Sequence, residues 1–307
     1  MVHVESIAKS FNDIHACKDI SFKVQGGELF GLIGPDGAGK TTLFRILTTL
    51  ILPDSGTAFV DSFDVINEYR TIRSIIGYMP GRFSLYQDLS VEENLDFFAT
   101  VFGTSVKQNY FLIRDIYSHI EPFKKRLAGK LSGGMKQKLA LCCALIHKPK
   151  VLILDEPTTG VDAVSRTEFW LILRELREQG ITIIVSTPYM DEAKQCDRVA
   201  LIQNGTIISI NTPNAITSDF DKLIYTVKGS NKYKLITDLR LCPSIESAHP
   251  FGESIHITLT NTCENISIVE KWLFDHNHSH IVIRQTTAGI EDFFLQWSTS
   301  SAPGHKD

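Results

Sequence analysis

Two short stretches of this chain carry residue types and spacings that could do phosphate chemistry. Residues 34–41 read Gly34-Pro35-Asp36-Gly37-Ala38-Gly39-Lys40-Thr41 and fit G-x-x-x-x-G-K-[ST] at every fixed position. Glycines at this spacing let successive backbone N–H groups curl around a β-phosphate. A lysine at Lys40 reaches β- and γ-oxygens, and a hydroxyl at Thr41 ligates Mg²⁺. The second stretch is the carboxylate pair Asp155-Glu156, which ends the run Val151-Leu152-Ile153-Leu154. Asp155 suits Mg²⁺ held through water, and Glu156 suits a general base that polarises an attacking water. A solvated acidic turn is the plainer account of the pair. The compatible order of the two stretches in one chain argues against it.

A third stretch, Leu131-Ser132-Gly133-Gly134-Met135-Lys136-Gln137, reads as a loop running into a helix with Ser132 as its N-cap. Its glycines allow close approach to an anion, but the lysine that would anchor a nucleotide is missing. Such a surface makes sense as half of a site completed by a second protein.

These residues need a scaffold that brings them to one edge. The apolar segment Phe30-Gly31-Leu32-Ile33 reads as a strand entering the glycine loop, and 42–50, beginning at Thr42, reads as an amphipathic helix leaving it. Four aliphatics ahead of Asp155 predict a strand buried on both faces of a parallel sheet. Carboxylates at its C-terminal end would lie where open α/β sheets bind ligands. Residues 2–33 read as strands with a turn at 25–27, and 56–80 continue the α/β core. Residues from about 84 to 147 read as mostly helical, with apolar residues at helical spacing through 91–101 and 110–120. Strand–helix–strand order returns over 151–210 and predicts parallel strands with crossovers on both faces.

On these motifs the chain resembles the nucleotide-binding subunit of ATP-binding cassette (ABC) transporters over about residues 1–218. The phosphate loop at 34–41, the signature at 131–137 and the acidic strand at 151–156 carry the resemblance. So does Pro157-Thr158-Thr159-Gly160-Val161-Asp162, which looks like the family's D-loop. The resemblance implies a P-loop NTPase core with a helical subdomain that meets a transmembrane permease. It also implies ATP and Mg²⁺ as ligands, a second ABC ATP-binding domain as partner, and a place on the cytoplasmic face of a membrane. It puts Phe11 at the aromatic position that stacks on adenine, although a lone Phe in a strand is commonly core. It assigns Gly34, Pro35, Asp36, Gly37, Ala38, Gly39, Lys40, Thr41 and Thr42 to the nucleotide. Ser132, Gly133, Gly134 and Gln137 fall to the partner's nucleotide. Phe83, Leu85, Tyr86 and Leu89 become candidate contacts for a coupling helix of the permease.

Three positions depart from the family pattern. Gly81 stands where a glutamine usually contacts Mg²⁺ and water, and Gln87 lies too far along to take that role. Pro188 stands where a histidine usually contacts the γ-phosphate, and proline has neither a side-chain donor nor a backbone N–H. Asp36 replaces an asparagine and brings an acid near the phosphates. Loss of one donor to developing charge costs on the order of 100-fold in rate. The expectation is a site that binds ATP but hydrolyses it slowly, in a heterodimer with a better-equipped partner. A non-hydrolysing regulatory subunit is the first alternative. A soluble ABC ATPase acting on DNA or ribosomes is the second, but neither a long heptad repeat nor a second cassette is visible.

Composition agrees with this frame. An apolar fraction of 43% and a charged fraction of 21% suit a globular chain, and a net charge of −4 offers no nucleic-acid footprint. No apolar run approaches the ~20 residues that span a bilayer, and no signal-peptide core opens the chain. Cys17, Cys142, Cys143, Cys196, Cys242 and Cys263 form no C-x-x-C pair, a reduced pattern. From about 219 to 307 the order β-α-β-β-α-β predicts a small ferredoxin-like α+β domain, then a short closing helix from Gly289. A similar ending occurs in the drug-export branch, which resembles daunorubicin-resistance ATPases. Alternating His276, His278 and His280 invite a metal reading, but no second cluster completes a ligand shell, so a polar turn is expected. Residues 298–307 read as a disordered end.

Overall fold

The computed structural model describes residues 1–260 and 265–300, with the side chains of 299 and 300 left aside. Cys263 and residues 301–307 of the end expected to be disordered lie outside the described residues, whereas 298–300 of that end belong to the helix Ile290–Ser300. The chain divides into two compact units, Met1–Pro213 and Asn214–Asp307.

The first unit is built on a six-stranded sheet. Its order runs Thr206–Asn211, Arg198–Gln203, Leu29–Ile33, Thr182–Thr187, Val151–Asp155, Ile76–Met79. All neighbours are parallel except the antiparallel edge strand Thr206–Asn211. Leu29–Ile33, Val151–Asp155 and Thr182–Thr187 are buried at every residue, as strands covered on both faces must be. Register fixes the site: Asp155 lies opposite Ser186, and Ile33 opposite Thr187. The glycine loop, the carboxylate pair and the segment after Thr187 therefore leave the sheet side by side at its carboxyl edge.

A four-stranded antiparallel sheet joins Ile14–Val24, Val2–Phe11, Ser55–Val60 and Phe63–Asp64. Between the two sheets runs the helix Lys40–Leu47, whose Leu43, Phe44, Ile46 and Leu47 are fully buried among Phe30, Leu32, Ile153 and Ile184. Each such side chain contributes about 1.5–3 kcal/mol. The loop ahead of this helix is thereby anchored from behind. The helical region contains Val91–Val101, Val106–Tyr117 and Gly133–Leu145, the first closed by a Ser90–Glu93 capping box. The stretch 56–80, read as a continuation of the α/β core with no helix singled out, contains a helix at Tyr69–Ile75. Among the described residues no helix is long and apolar enough to cross a membrane.

The second unit has a four-stranded antiparallel sheet in the order Ile245–Phe251, Ser254–Leu259, Ile224–Lys228, Val282–Thr286. With helices Lys232–Leu241 and Ser267–Asp275 this is a split β-α-β-β-α-β arrangement. Its core joins Val227, Leu235, Leu239, Ile255, Ile257, Val269 and Leu273. The helix Ile290–Ser300 follows.

Candidate functional site

The glycine loop is shaped by contacts that exclude other residues. A Cβ at Gly34 would meet the Ile202 carbonyl at 2.1 Å. Gly39 adopts φ +107°, and a Cβ there would lie 2.2 Å from the Ala16 carbonyl. The Gly34 N–H donates to the Thr187 carbonyl at 3.2 Å, tying the loop to the neighbouring strand. Lys40 is only 3% exposed. Its ammonium donates to the carbonyls of Gly34 (2.8 Å) and Pro35 (3.0 Å) and pairs with Glu156 Oε1 at 3.1 Å. The loop from Gly37, with Thr41, Thr42 and Glu156, lines a cleft of about 580 Å³ whose far wall includes Asp13, His15, Lys18 and Asn204. Asp36 is exposed. Phe11 ends the first strand and is 45% exposed, its ring 5.6 Å from the Lys9 ammonium. It is therefore a surface aromatic and not a core residue.

At the end of the acidic strand, Asp155 is 2% exposed. The Ser186 hydroxyl donates to Asp155 Oδ1 at 2.7 Å and accepts from the Glu156 N–H at 2.9 Å. Ser186 thus fixes one carboxylate and the backbone of the next residue, although nothing in the sequence marked it. Glu156 itself has φ +49°, a left-handed conformation that non-glycine residues rarely hold unless their surroundings enforce it. Thr159 donates to Glu156 Oε2 at 3.4 Å. Nearby, burial and then the Asp155 charge push the Tyr78 phenol up to about 12, so it stays a neutral hydroxyl.

The other two departures are also placed. A Cβ on Gly81 would lie 3.2 Å from the Asp155 carbonyl and 3.6 Å from Asp155 Oδ2, so this position faces the carboxylate and supplies it nothing. Gln87 packs against Gly129 instead. Pro188 is half-buried between Thr187 and Tyr189. Around it, buried Glu192 accepts from Thr158 at 3.1 Å and from Thr187, with Arg166 at 3.7 Å. The Arg166 guanidinium lies 4.4 Å from the Tyr189 ring centre. This network joins the start of the D-loop to the segment carrying Pro188, and it too was missed, because its members are remote in sequence.

The signature divides in the structure. Ser132 caps its helix by accepting from the Met135 N–H at 3.4 Å, and Ser132 and Gly133 are exposed. Gly134 is buried, and a Cβ there would lie 2.6 Å from Ser165 Oγ. Its place is to let the helix Ala163–Glu178 approach. Gln137 faces an apolar groove of about 430 Å³ with Tyr78, Met79, Phe83 and His147. Leu85 also lines this groove but is buried, whereas Tyr86 is 50% exposed. None of residues 132–137 lines the phosphate cleft.

Thr41 lines the cleft and Asp155, buried at the end of the acidic strand, does not; a hydroxyl and a carboxylate are oxygen donors of the kind a hard divalent cation takes. Among the described residues no group of three His, Cys, Asp or Glu is placed to hold a metal. In the second unit His278 bonds Asp238 (2.7 Å), whereas His276 bonds the Trp272 carbonyl (2.8 Å).

Strand, glycine loop, buried lysine and acidic strand at one sheet edge define a P-loop nucleotide-binding protein. Residues 17–159 match the family model of the ABC transporter. The chain is 39% identical over 292 residues to "Probable multidrug ABC transporter ATP-binding protein YbhF" of Escherichia coli (strain K12), covering 92% of this chain and 49% of that protein. It is 34% identical over 299 residues to "Nod factor export ATP-binding protein I" of Paraburkholderia xenovorans (strain LB400), covering 96% of each. A solved "Structure of ATP binding subunit of ABC transporter" superposes with a TM-score of 0.65 at 26% identity, over 72% of this chain and 93% of that one. The chain belongs to the ABC transporter ATP-binding family. It spans about half the length of the first of these relatives.

Proposed function

We propose that this chain is an ATP-binding subunit that powers export through a transmembrane permease, paired head to tail with a second ABC ATP-binding domain at the cytoplasmic face of the membrane. The observation that carries the proposal is the separation of two half-sites on one chain. A preformed phosphate cleft surrounds Lys40, and the exposed Ser132–Gly133 pair lies outside its lining. Each half fits the other half of a second domain, so ATP joins the two and closure draws on the permease. Differential contact drives the change, because the signature donors meet the γ-phosphate only in the closed state. The apolar groove beside Phe83 and Gln137 offers a seat for a permease helix.

Within the cleft the glycine loop and Lys40 bind and orient the phosphates and Glu156 accepts a proton from the attacking water, while Phe11, exposed outside the cleft lining, would offer a face to the base. Mg²⁺ held by Thr41 and Asp155 would supply charge neutralisation at the phosphoryl oxygens. Gly81 brings no side-chain amide to Mg²⁺ or the attacking water, and Pro188 brings no imidazole, so this site turns over slowly and the partner's site does most of the hydrolysis. The same two residues favour, as a second reading, a subunit whose ATP is regulatory. The test is Glu156→Gln made in this chain and, separately, the equivalent change in its co-purified partner. The expected result is a small loss of turnover from the first and a loss of about 100-fold or more from the second. Equal losses would show two competent sites and end the asymmetric reading.

A further inference from the structure

The second unit contains a cavity of about 460 Å³ that the nucleotide reading does not use. Its floor is one face of the antiparallel sheet. His256 and Thr258 alternate with the core residues Ile255 and Ile257 and so point away from the helix-covered core. His249 and Ser247 are their cross-strand partners. Arg240, at the end of one helix, and Asp292, on the helix Ile290–Ser300, join Lys222, Glu246 and Gln296 in the polar lining, and Phe220 and Ile224 form an apolar wall.

Each carboxylate in this cavity already has a partner. Asp292 Oδ1 takes the His256 ring N–H at 2.8 Å, and Oδ2 takes the Gly289 N–H at 2.7 Å. Glu246 pairs with Lys222. Donors are left over. Arg240 gives only its Nε, to the Ala248 carbonyl at 3.3 Å, so among the described residues its terminal nitrogens keep their protons to offer. The Ser247 and Thr258 hydroxyls lie 2.7 Å apart, so one donates to the other and one O–H remains. His249 is half-buried, and burial, followed by the Arg240 charge, holds its pKa below the ordinary value. Its neutral ring can offer a further N–H.

We propose that this cavity binds a small organic anion, a carboxylate or phosphate monoester on an apolar body. The anionic oxygens would lie between Arg240 and His249, and the body against Phe220 and Ile224. A guanidinium presents paired N–H groups that match either oxyanion. The site is separate from the phosphate cleft and would stand even if the transport reading failed.

The experiment is a nuclear magnetic resonance titration of the full chain, labelled at histidine, with ATP kept saturating so that the glycine loop is not counted. The probes are phenyl phosphate and benzoate, with inorganic phosphate and benzyl alcohol as half-ligands. His249→Asn assigns the resonance. Saturable shifts at His249 and His256 with one or both organic anions, weaker with either half-ligand, support the site, and which anion binds more tightly separates carboxylate from phosphate. An upward move of the His249 titration midpoint on binding is expected, because an anion stabilises its charged form. Arg240→Gln should weaken binding about tenfold or more, and Arg240→Lys should restore part of it. No shift with any probe at millimolar concentration overturns the proposal. So do equal affinities in Arg240→Gln and the parent chain, or half-ligands that bind as well as the whole anions.

Discussion

The phosphate edge and the signature edge of the first unit are built in opposite ways. At the phosphate edge the reactive group is buried and engaged: Lys40 has two carbonyl partners and one carboxylate, and Asp155 is clamped by Ser186. At the signature edge Ser132 and Gly133 are exposed above a rigid mount in which Gly134 packs against Ser165. The first edge holds its geometry with its own residues. The second holds only its backbone and, on the proposed reading, would meet a ligand brought by another surface.

The largest expected effect tests the self-sufficiency of the first edge. Lys40→Ala should weaken ATP binding by about 100-fold or more, because a charge-assisted contact to phosphate is lost in a buried place. Calorimetric titration of the isolated chain checks it, and an affinity within a few-fold of the parent would mean that the cleft does not hold the phosphates. An intermediate effect tests the division within the signature. Gly134→Ala should destabilise the chain by about 1–3 kcal/mol through overpacking against Ser165. Gly133→Ala, whose Cβ would meet only the Gly160 carbonyl at 3.5 Å, should stay within about 0.5 kcal/mol. Urea unfolding of both variants would erase the division if their midpoints moved alike.

The smallest effect concerns the groove beside the signature helix. His147 stacks on Phe102 with centroids 3.8 Å apart, its Nε2 lies 2.9 Å from the Ile76 carbonyl, and burial lowers its pKa from 6.5. A histidine whose folded pKa lies below its unfolded value contributes full stability above pH 6.5. That contribution is lost progressively as pH falls through the window down to the folded pKa, because the unfolded chain binds more protons there. Thermal unfolding between neutral and mildly acidic pH should therefore show a drop that His147→Gln reduces. An unchanged drop would assign it to other groups.

The legible and illegible parts of this molecule differ in the range of their causes. The glycine loop, the acidic strand and the Ser132 cap are local patterns, set by residues within a few positions, and the structure places them as strand, loop and helix in that order. The second unit's strand succession was also legible from short alternating runs. Ser186, Glu192 and the burial of Gly134 were not. Their partners lie about 30 residues away in the chain, and only strand register or helix packing brings them together. The helix Tyr69–Ile75 escaped because it has a single fully buried residue, Ile72, and so leaves almost no periodic signal.

The ion pair between Lys40 and Glu156 carries one more consequence. The lysine is met by a carboxylate from its own chain, so an incoming triphosphate must win an exchange of counter-ions. Weak monoanions lose that contest and a polyanion wins it, which sets a threshold for admission to the cleft. Neutralising the competitor lowers the threshold. The same Glu156→Gln change that removes the proposed proton acceptor for the attacking water should therefore make the chain hold ATP more tightly.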